Sequence, residues 1–203
     1  MPGKLMLGKS RVEALSDGVF SITMTLLVLK LEVPEVMHHS TNEDMLRQLL
    51  ALWPAFGTYV VTFLIAGGFW FLHHISFHFV RHTDGVLLWI NLLFLMFVAL
   101  LPFSAELMGH LLIHPVSQLF YIGNQLTIAA LLNAHWIYAR SRGLLDPSDS
   151  AQILRLTVRI GGAAGVFAAC LATAVFLPAW SWVPMPVFLI GAAVVEWRLN
   201  RAA

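Results

Sequence analysis

Long apolar blocks, separated by short polar or proline-bearing segments, dominate the chain from residue 11 onward. Each block approaches or exceeds the ~20 residues that a helix needs to cross a hydrocarbon core ~30 Å thick. The pattern predicts six membrane spans, at about residues 11–31, 46–73, 85–107, 117–139, 153–177 and 181–198. We therefore expect an all-α membrane protein in which residues 1–203 form a single six-helix transmembrane domain.

Two prolines fall inside the predicted spans. Pro54 lies close to the start of the second span, where a proline is tolerated because the first-turn N–H groups have no helical acceptor. Pro102 lies near the outer edge of the third span, and we expect it to kink or end that helix.

Composition supports the membrane assignment. The chain is 59% hydrophobic and 11% charged, with a mean hydropathy of +0.78, whereas about 25% of the residues of a soluble domain are charged. The net charge is only +1 and no basic run is present, which argues against a nucleic-acid partner. The single cysteine, Cys170, lies in an apolar block and is predicted to be a packed thiol.

The positive charges predict the orientation of the spans. With the N-terminus inside, the outer segments hold only Lys30 and Arg47. The inner segments hold the other ten of the 12 lysines and arginines, namely Lys4, Lys9, Arg11, Arg81, Arg140, Arg142, Arg155, Arg159, Arg198 and Arg201. Cytoplasmic loops are enriched in these residues, so both termini are predicted to lie on the cytoplasmic side.

The first span opens with ionisable residues. A charge inside a lipid-facing helix costs roughly 2.5–3.5 kcal/mol on insertion scales, so Asp17 is expected to be a buried carboxylate that needs partners. Successive residues of a helix are ~100° apart around its axis, and on this basis five residues of the first span lie within about 50° of one line along the helix and form a largely apolar stripe. Asp17 points well away from this line. The members of this stripe are Gly18, Ile22, Thr25, Leu26 and Leu29.

The segment Arg11-x-x-x-Leu15-Ser16-Asp17 resembles the Arg-x-x-x-Phe-Ser-Asp signature of the endosomal/lysosomal potassium channels called transmembrane protein 175 and of their prokaryotic relatives. Leu15 in place of Phe is the one departure. Animal members of this family carry two six-helix units, whereas this chain resembles a single unit, as in the prokaryotic relatives. The resemblance implies a homotetramer in a lipid bilayer, in the inner membrane of a prokaryote.

The resemblance also implies a function. In this family the first helices of four units line the pore, so the chain is expected to be a potassium-preferring cation channel and not an enzyme. Ile22, Leu26 and Leu29 match a hydrophobic constriction and Thr25 matches a residue linked to potassium preference; no cofactor is implied beyond the permeant potassium ions. No Thr-Val-Gly-Tyr-Gly segment occurs in the chain. Without the resemblance, the i, i+4, i+7 spacing would favour ordinary core packing.

In the same family, His, Trp and Asn side chains from the next two helices hold the Ser-Asp signature. Residues of the second and third spans match this description, although the sequence does not decide which of two adjacent histidines takes part. The expected structural polar network comprises Arg11, Ser16, Asp17, Trp70, His73, His74 and Asn91. Two roles stay open for it, a purely structural clamp and a part in conduction.

Two alternative functions remain. His74, His78 and His82 recur at i, i+4 and i+8, next to His73, which suggests a membrane-embedded metal or haem protein. The other candidate ligands, His38, His39, His110 and His114, are predicted on the opposite side of the membrane, which favours packing or pH sensing for the cluster and no metal site. The second alternative is a channel whose main permeant ion is the proton.

Overall fold

The computed structural model describes residues 8–31, 41–110, 114–146, 150–177 and residue 181. The regular secondary structure of this part of the chain is helical, apart from one antiparallel bridge between Val80 and Leu145. Its helices are α1 (Lys9–Val28), α2 (Asn42–Ala51), α3 (Trp53–Phe79), α4 (Gly85–Ala99), α5 (Leu101–His110), α6 (Pro115–Ser141) and α7 (Ser150–Phe176). The predicted sixth span, 181–198, lies outside the described residues except for Ser181.

The second predicted span, 46–73, was wrong at both ends. It divides into α2 and α3 at Leu52, and α3 continues to Phe79. Pro54 occupies the first turn of α3, as predicted, since its missing N–H needs no partner there. The helix extends past residue 73 because its last turns still bury Ser76 and Phe77 against the bundle.

Pro102 interrupts the third span as predicted. Helix α4 ends at Ala99, Leu100 forms the break, and α5 begins at Leu101. A proline at this position has no N–H to donate to the carbonyl four residues earlier, so an uninterrupted helix would lose a hydrogen bond there. Leu101 is nevertheless fully buried, so the break lies inside the bundle.

The bundle has α1 on one side and α7 on the other. Helix α1 packs against α3, α4 and α5, while α6 packs against α4, α5 and α7. The largest apolar cluster lies between these layers and includes Phe20, Phe69, Phe94, Trp136 and Ile160. Cys170 is buried in a second cluster, as the sequence predicts.

Both ends of the bundle are held by polar contacts. At one end Lys9 Nζ donates to the carbonyl of His78 over 3.3 Å, and Arg81 pairs with Asp146 over 3.5 Å. At the other end Lys30 and Glu106 form an ion pair of 2.7 Å. The start of α1 and the end of α3 therefore share one end, and the end of α1 shares the other with α5.

Three helical segments in the described ranges are long and apolar enough to cross a membrane, Trp53–Phe79, Gly85–Gly109 and Gln152–Phe176. The third of these begins two residues inside α7, one residue before the predicted start at 153, and ends at Phe176, the last residue of α7. Helix α1 is less apolar because Lys9, Arg11, Glu13 and Asp17 all fall in its first half. The described part of the chain is thus all-helical, with the long apolar helices of a membrane protein.

Candidate functional site

Helix α1 presents two different faces. Its buried face follows helical spacing and faces α3, α4 and α5. The ring of Phe20 anchors this face, with its centroid 5.8 Å from that of Phe94 and 6.3 Å from that of His73. The residues of the buried face are Val12, Ser16, Phe20, Thr23 and Leu27.

The outer face of α1, which we define as Gly18, Ile22, Thr25, Leu26 and Leu29, is exposed in the single chain. The exposed fractions are 60% for Ile22, 41% for Leu26 and 73% for Leu29. The Thr25 hydroxyl lies 2.8 Å from the Ile22 carbonyl and 3.0 Å from the Ser21 carbonyl, and it donates to the helix backbone. Its oxygen keeps acceptor lone pairs, and the residue is exposed.

Ser16, His73 and Asn91 form a buried polar cluster that joins α1, α3 and α4. Asn91 Nδ2 donates to Ser16 Oγ over 3.3 Å, and Asn91 Oδ1 accepts from His73 Nε2 over 2.8 Å. Ser16 Oγ in turn donates to the carbonyl of Val12. All three side chains are at most 2% exposed, so these bonds hold the buried face of α1 in one rotational setting.

Asp17 is exposed in the single chain, so the expectation of a buried carboxylate is corrected. The residue follows Ser16 by ~100° around the helix, which carries it from the buried face to its edge. Its Oδ1 still accepts a hydrogen bond of 2.8 Å from the indole N–H of Trp70. The carboxylate therefore connects α1 to α3 while remaining open on its other side.

Two members of the expected network lie outside it. Arg11 is exposed, and its side chain makes no hydrogen bond or ion pair within the described ranges, because the first turn of α1 reaches the end of the bundle. His74 is also exposed and stacks on Trp70, with ring centroids 5.5 Å apart. Of the two adjacent histidines, His73 is the one that joins the polar cluster.

Polar side chains that the sequence analysis did not single out are also buried along α6. They include Ser117, Gln118, Asn124, Gln125 and His135. The ring of His135 stacks on Phe77 with centroids 4.9 Å apart and lies 6.0 Å from that of His73. The spacing of 11 residues between Asn124 and His135, which is close to three helical turns, was the available signal for a polar stripe.

The histidines that the structure describes do not come together as a metal site. Helix α3 ends at Phe79, so His82 is not on the same helical face as His74 and His78, as the spacing had suggested. Among the described residues, no three His, Cys, Asp or Glu side chains converge on a position that could hold a metal ion.

Comparison with known proteins identifies relatives of the chain. Residues 11–102 match the family model described as the endosomal/lysosomal potassium channel TMEM175. Over 177 residues the chain is 34% identical to a potassium channel of Chamaesiphon minutus, covering 84% of this chain and 85% of that protein. It is 30% identical over 151 residues to the endosomal/lysosomal proton channel TMEM175 of Homo sapiens, covering 72% of this chain and 30% of that protein.

A solved structure shows the same fold. The crystal structure of a lysosomal potassium-selective channel TMEM175 homolog from Chamaesiphon minutus superposes with a TM-score of 0.75 at 30% sequence identity. The superposition covers 95% of this chain and 98% of that chain.

Proposed function

Because this chain belongs to the TMEM175 family of cation channels, we propose that it conducts potassium ions in preference to sodium through a pore lined by α1. Four copies of the chain surround the pore, and each contributes one outer face. Six transmembrane helices per chain, with both termini on the cytoplasmic side, follow from the apolar blocks and from the distribution of lysine and arginine.

The observation that carries this proposal is the uncovered outer face of α1. The buried face of the same helix is held by the bonds among Ser16, His73 and Asn91, so the helix has a defined rotation within the chain. That rotation leaves Ile22, Leu26 and Leu29 between 41% and 73% exposed, so no described part of the chain covers them. A single helix cannot enclose a pore, whereas closed rotational symmetry brings equivalent faces together around one axis.

Three apolar rings would then stand along the axis, at the levels of Ile22, Leu26 and Leu29. A potassium ion that passes such rings loses water without gaining protein ligands, so the barrier depends on ring width and polarity. Narrow apolar rings also favour loss of water from the pore, which provides a gate.

Thr25 supplies the polar element of this face. Its hydroxyl donates to the backbone of its own helix, so the oxygen is oriented as an acceptor. Four such oxygens would offer partial coordination to a dehydrating cation, and potassium has the lower dehydration penalty of the two alkali ions. Hydroxyl coordination of this type supports potassium preference in a chain without the Thr-Val-Gly-Tyr-Gly filter.

A second candidate function is proton conduction. The observation in its favour is Asp17, an exposed carboxylate at the edge of the outer face. The human relative is named a proton channel, which favours the same function.

Flux measurements on proteoliposomes test both functions. Purified protein is reconstituted into liposomes, and gradients of potassium, sodium and protons are applied separately. In each case an ionophore holds the membrane potential constant. Potassium flux above sodium flux and above proton flux supports the main proposal, whereas dominant proton flux supports the second. Flux no greater than that of protein-free liposomes under all three gradients would refute both.

A further inference from the structure

A groove runs between the end of α3 and the beginning of α7. Its volume is about 220 Å³. The lining residues are Ile75, Phe79, Gln152, Arg155, Leu156 and Arg159.

The groove lies at the level where the apolar helices leave the membrane. Phe79 is the last residue of one candidate membrane span, and Gln152 is the first residue of another. The lining residues therefore extend from this boundary inward by no more than about two helical turns. At this depth a membrane surrounds the protein with phospholipid headgroups and the first methylenes of their acyl chains.

The two arginines give the groove its charge. Arg155 and Arg159 are exposed and are four residues apart, so their side chains project from the same face of α7, about 6 Å apart along the helix. Among the described residues, the lining includes no acidic side chain.

The walls of the groove are apolar. Ile75 and Phe79 contribute one wall from α3, and Leu156 contributes the other from α7. Long arginine side chains in a membrane segment direct their guanidinium groups toward the headgroup level. The result is a basic rim above an apolar cleft, which is a shape complementary to a lipid with an anionic headgroup.

We propose that this groove binds an anionic phospholipid. Arg155 and Arg159 hold the phosphate through charge-assisted hydrogen bonds, and one acyl chain lies along Ile75, Phe79 and Leu156. Basic pockets between membrane helices on the cytoplasmic side are suited to anionic headgroups for this reason.

Lipid retention measured by native mass spectrometry tests the proposal. The full-length protein in detergent is titrated with phosphatidylglycerol, with phosphatidylcholine and, in a third series, with soluble glycerol phosphate as a competitor. We expect phosphatidylglycerol to bind more tightly than phosphatidylcholine. Arg155→Gln and Arg159→Gln should each weaken phosphatidylglycerol binding about fivefold and leave phosphatidylcholine binding unchanged.

Two control variants make the result specific. Arg155→Lys keeps the positive charge and should retain most of the binding, while Arg47→Gln removes an exposed arginine from α2 and should change nothing. Circular dichroism and gel filtration establish that each variant is folded, and both groove arginines are exposed, so their replacement should be tolerated.

The proposal is overturned if a variant that carries both Arg155→Gln and Arg159→Gln retains phosphatidylglycerol as the unmodified protein does, or if phosphatidylcholine binds as tightly as phosphatidylglycerol. Displacement of the lipid by soluble glycerol phosphate at equal concentration would also overturn it, since the occupant would then be a free phosphate group.

Discussion

The indole Nε1 of Trp70 donates a hydrogen bond of 2.8 Å to Oδ1 of Asp17, across the boundary between α3 and the exposed edge of α1. Ser16, the preceding residue, points into the bundle and accepts from Asn91. Two adjacent residues of α1 are thus held by two different helices. This double attachment sets the rotation of α1 and, with it, the residues that the outer face presents.

We expect Asp17→Ala and Trp70→Phe to loosen this attachment, each with a loss of about 0.5–1.5 kcal/mol, because the bond is exposed to solvent. If the bond also positions the outer face, ion flux or oligomer yield should fall by more than this loss of stability alone predicts. Asp17→Asn retains an oxygen acceptor for the indole and serves as the matched control. Normal assembly and flux in Asp17→Ala would show that the contact is dispensable.

Loss of the buried polar cluster should lower the free energy of unfolding by more than loss of the Trp70–Asp17 hydrogen bond. Asn91→Leu leaves His73 Nε2 and Ser16 Oγ without this partner inside the bundle, at a cost of about 1–3 kcal/mol. Thermal denaturation in detergent, followed by circular dichroism, measures the loss. Leu92→Ala, at a side chain 44% exposed on the same helix, is the control and should be close to neutral. Equal melting temperatures for Asn91→Leu and the unmodified protein would contradict the prediction.

The outer face of α1 yields the sharpest functional prediction. Leu26→Asn or Leu29→Ser would place polar groups at the level of the proposed constriction, and we expect total flux to rise and potassium–sodium discrimination to fall. Thr25→Ala should weaken discrimination with less effect on total flux, since it removes hydroxyls and no apolar ring. Permeability ratios from reversal potentials provide the measurement.

Val28→Asn is the control for this series. Val28 is 46% exposed on α1 but lies ~100° from Leu29 around the helix, away from the proposed axis. It should leave conductance and selectivity unchanged. If Leu26→Asn and Leu29→Ser are well folded and behave like Val28→Asn, the outer face does not line the pore.

Assembly can be measured independently of conduction. We expect a homotetramer in mild detergent, because one α1 per chain supplies too little surface to enclose a pore. Light scattering with subtraction of the detergent mass, or native mass spectrometry, gives the number of chains. A monomeric particle that still conducts after reconstitution would exclude the proposed pore.

A pH dependence is expected at the start of α4. Asp84 caps this helix by accepting from the Leu87 N–H over 2.9 Å, and it also accepts from the Tyr138 hydroxyl over 2.8 Å. Partial desolvation raises the pKa of Asp84, but these hydrogen bonds and the charge of Arg142 outweigh it and bring the pKa below its ordinary value of 3.8.

Because the pKa is lower in the folded chain, the stabilisation is fully present above about pH 4 and is lost as the pH falls through the folded pKa. Asp84→Ala should lose about 1 kcal/mol near neutral pH. Asp84→Asn should keep most of the cap and lack this acid-dependent component. Stability curves between pH 3 and 7 that are parallel for Asp84→Asn and the unmodified protein would contradict the assignment.

Several of these features could be predicted from the local sequence. Hydropathy predicted apolar helices, since burial in lipid requires a continuous apolar stretch, and Pro54 and Pro102 marked a helix start and a break because proline lacks an N–H. The Arg11–Asp17 segment identified the family because its polar residues occur at a characteristic spacing before an apolar block.

Other features were decided by tertiary structure. His73 and His74 are adjacent, and only the packing of α3 against α1 and α4 determines that His73 points inward and His74 outward. The exposure of Asp17 depends in the same way on which side of α1 the bundle covers. Helical periodicity gives the angles between side chains, but it contains no information about the direction from which another helix packs, so the burial of each polar residue required the assembled fold.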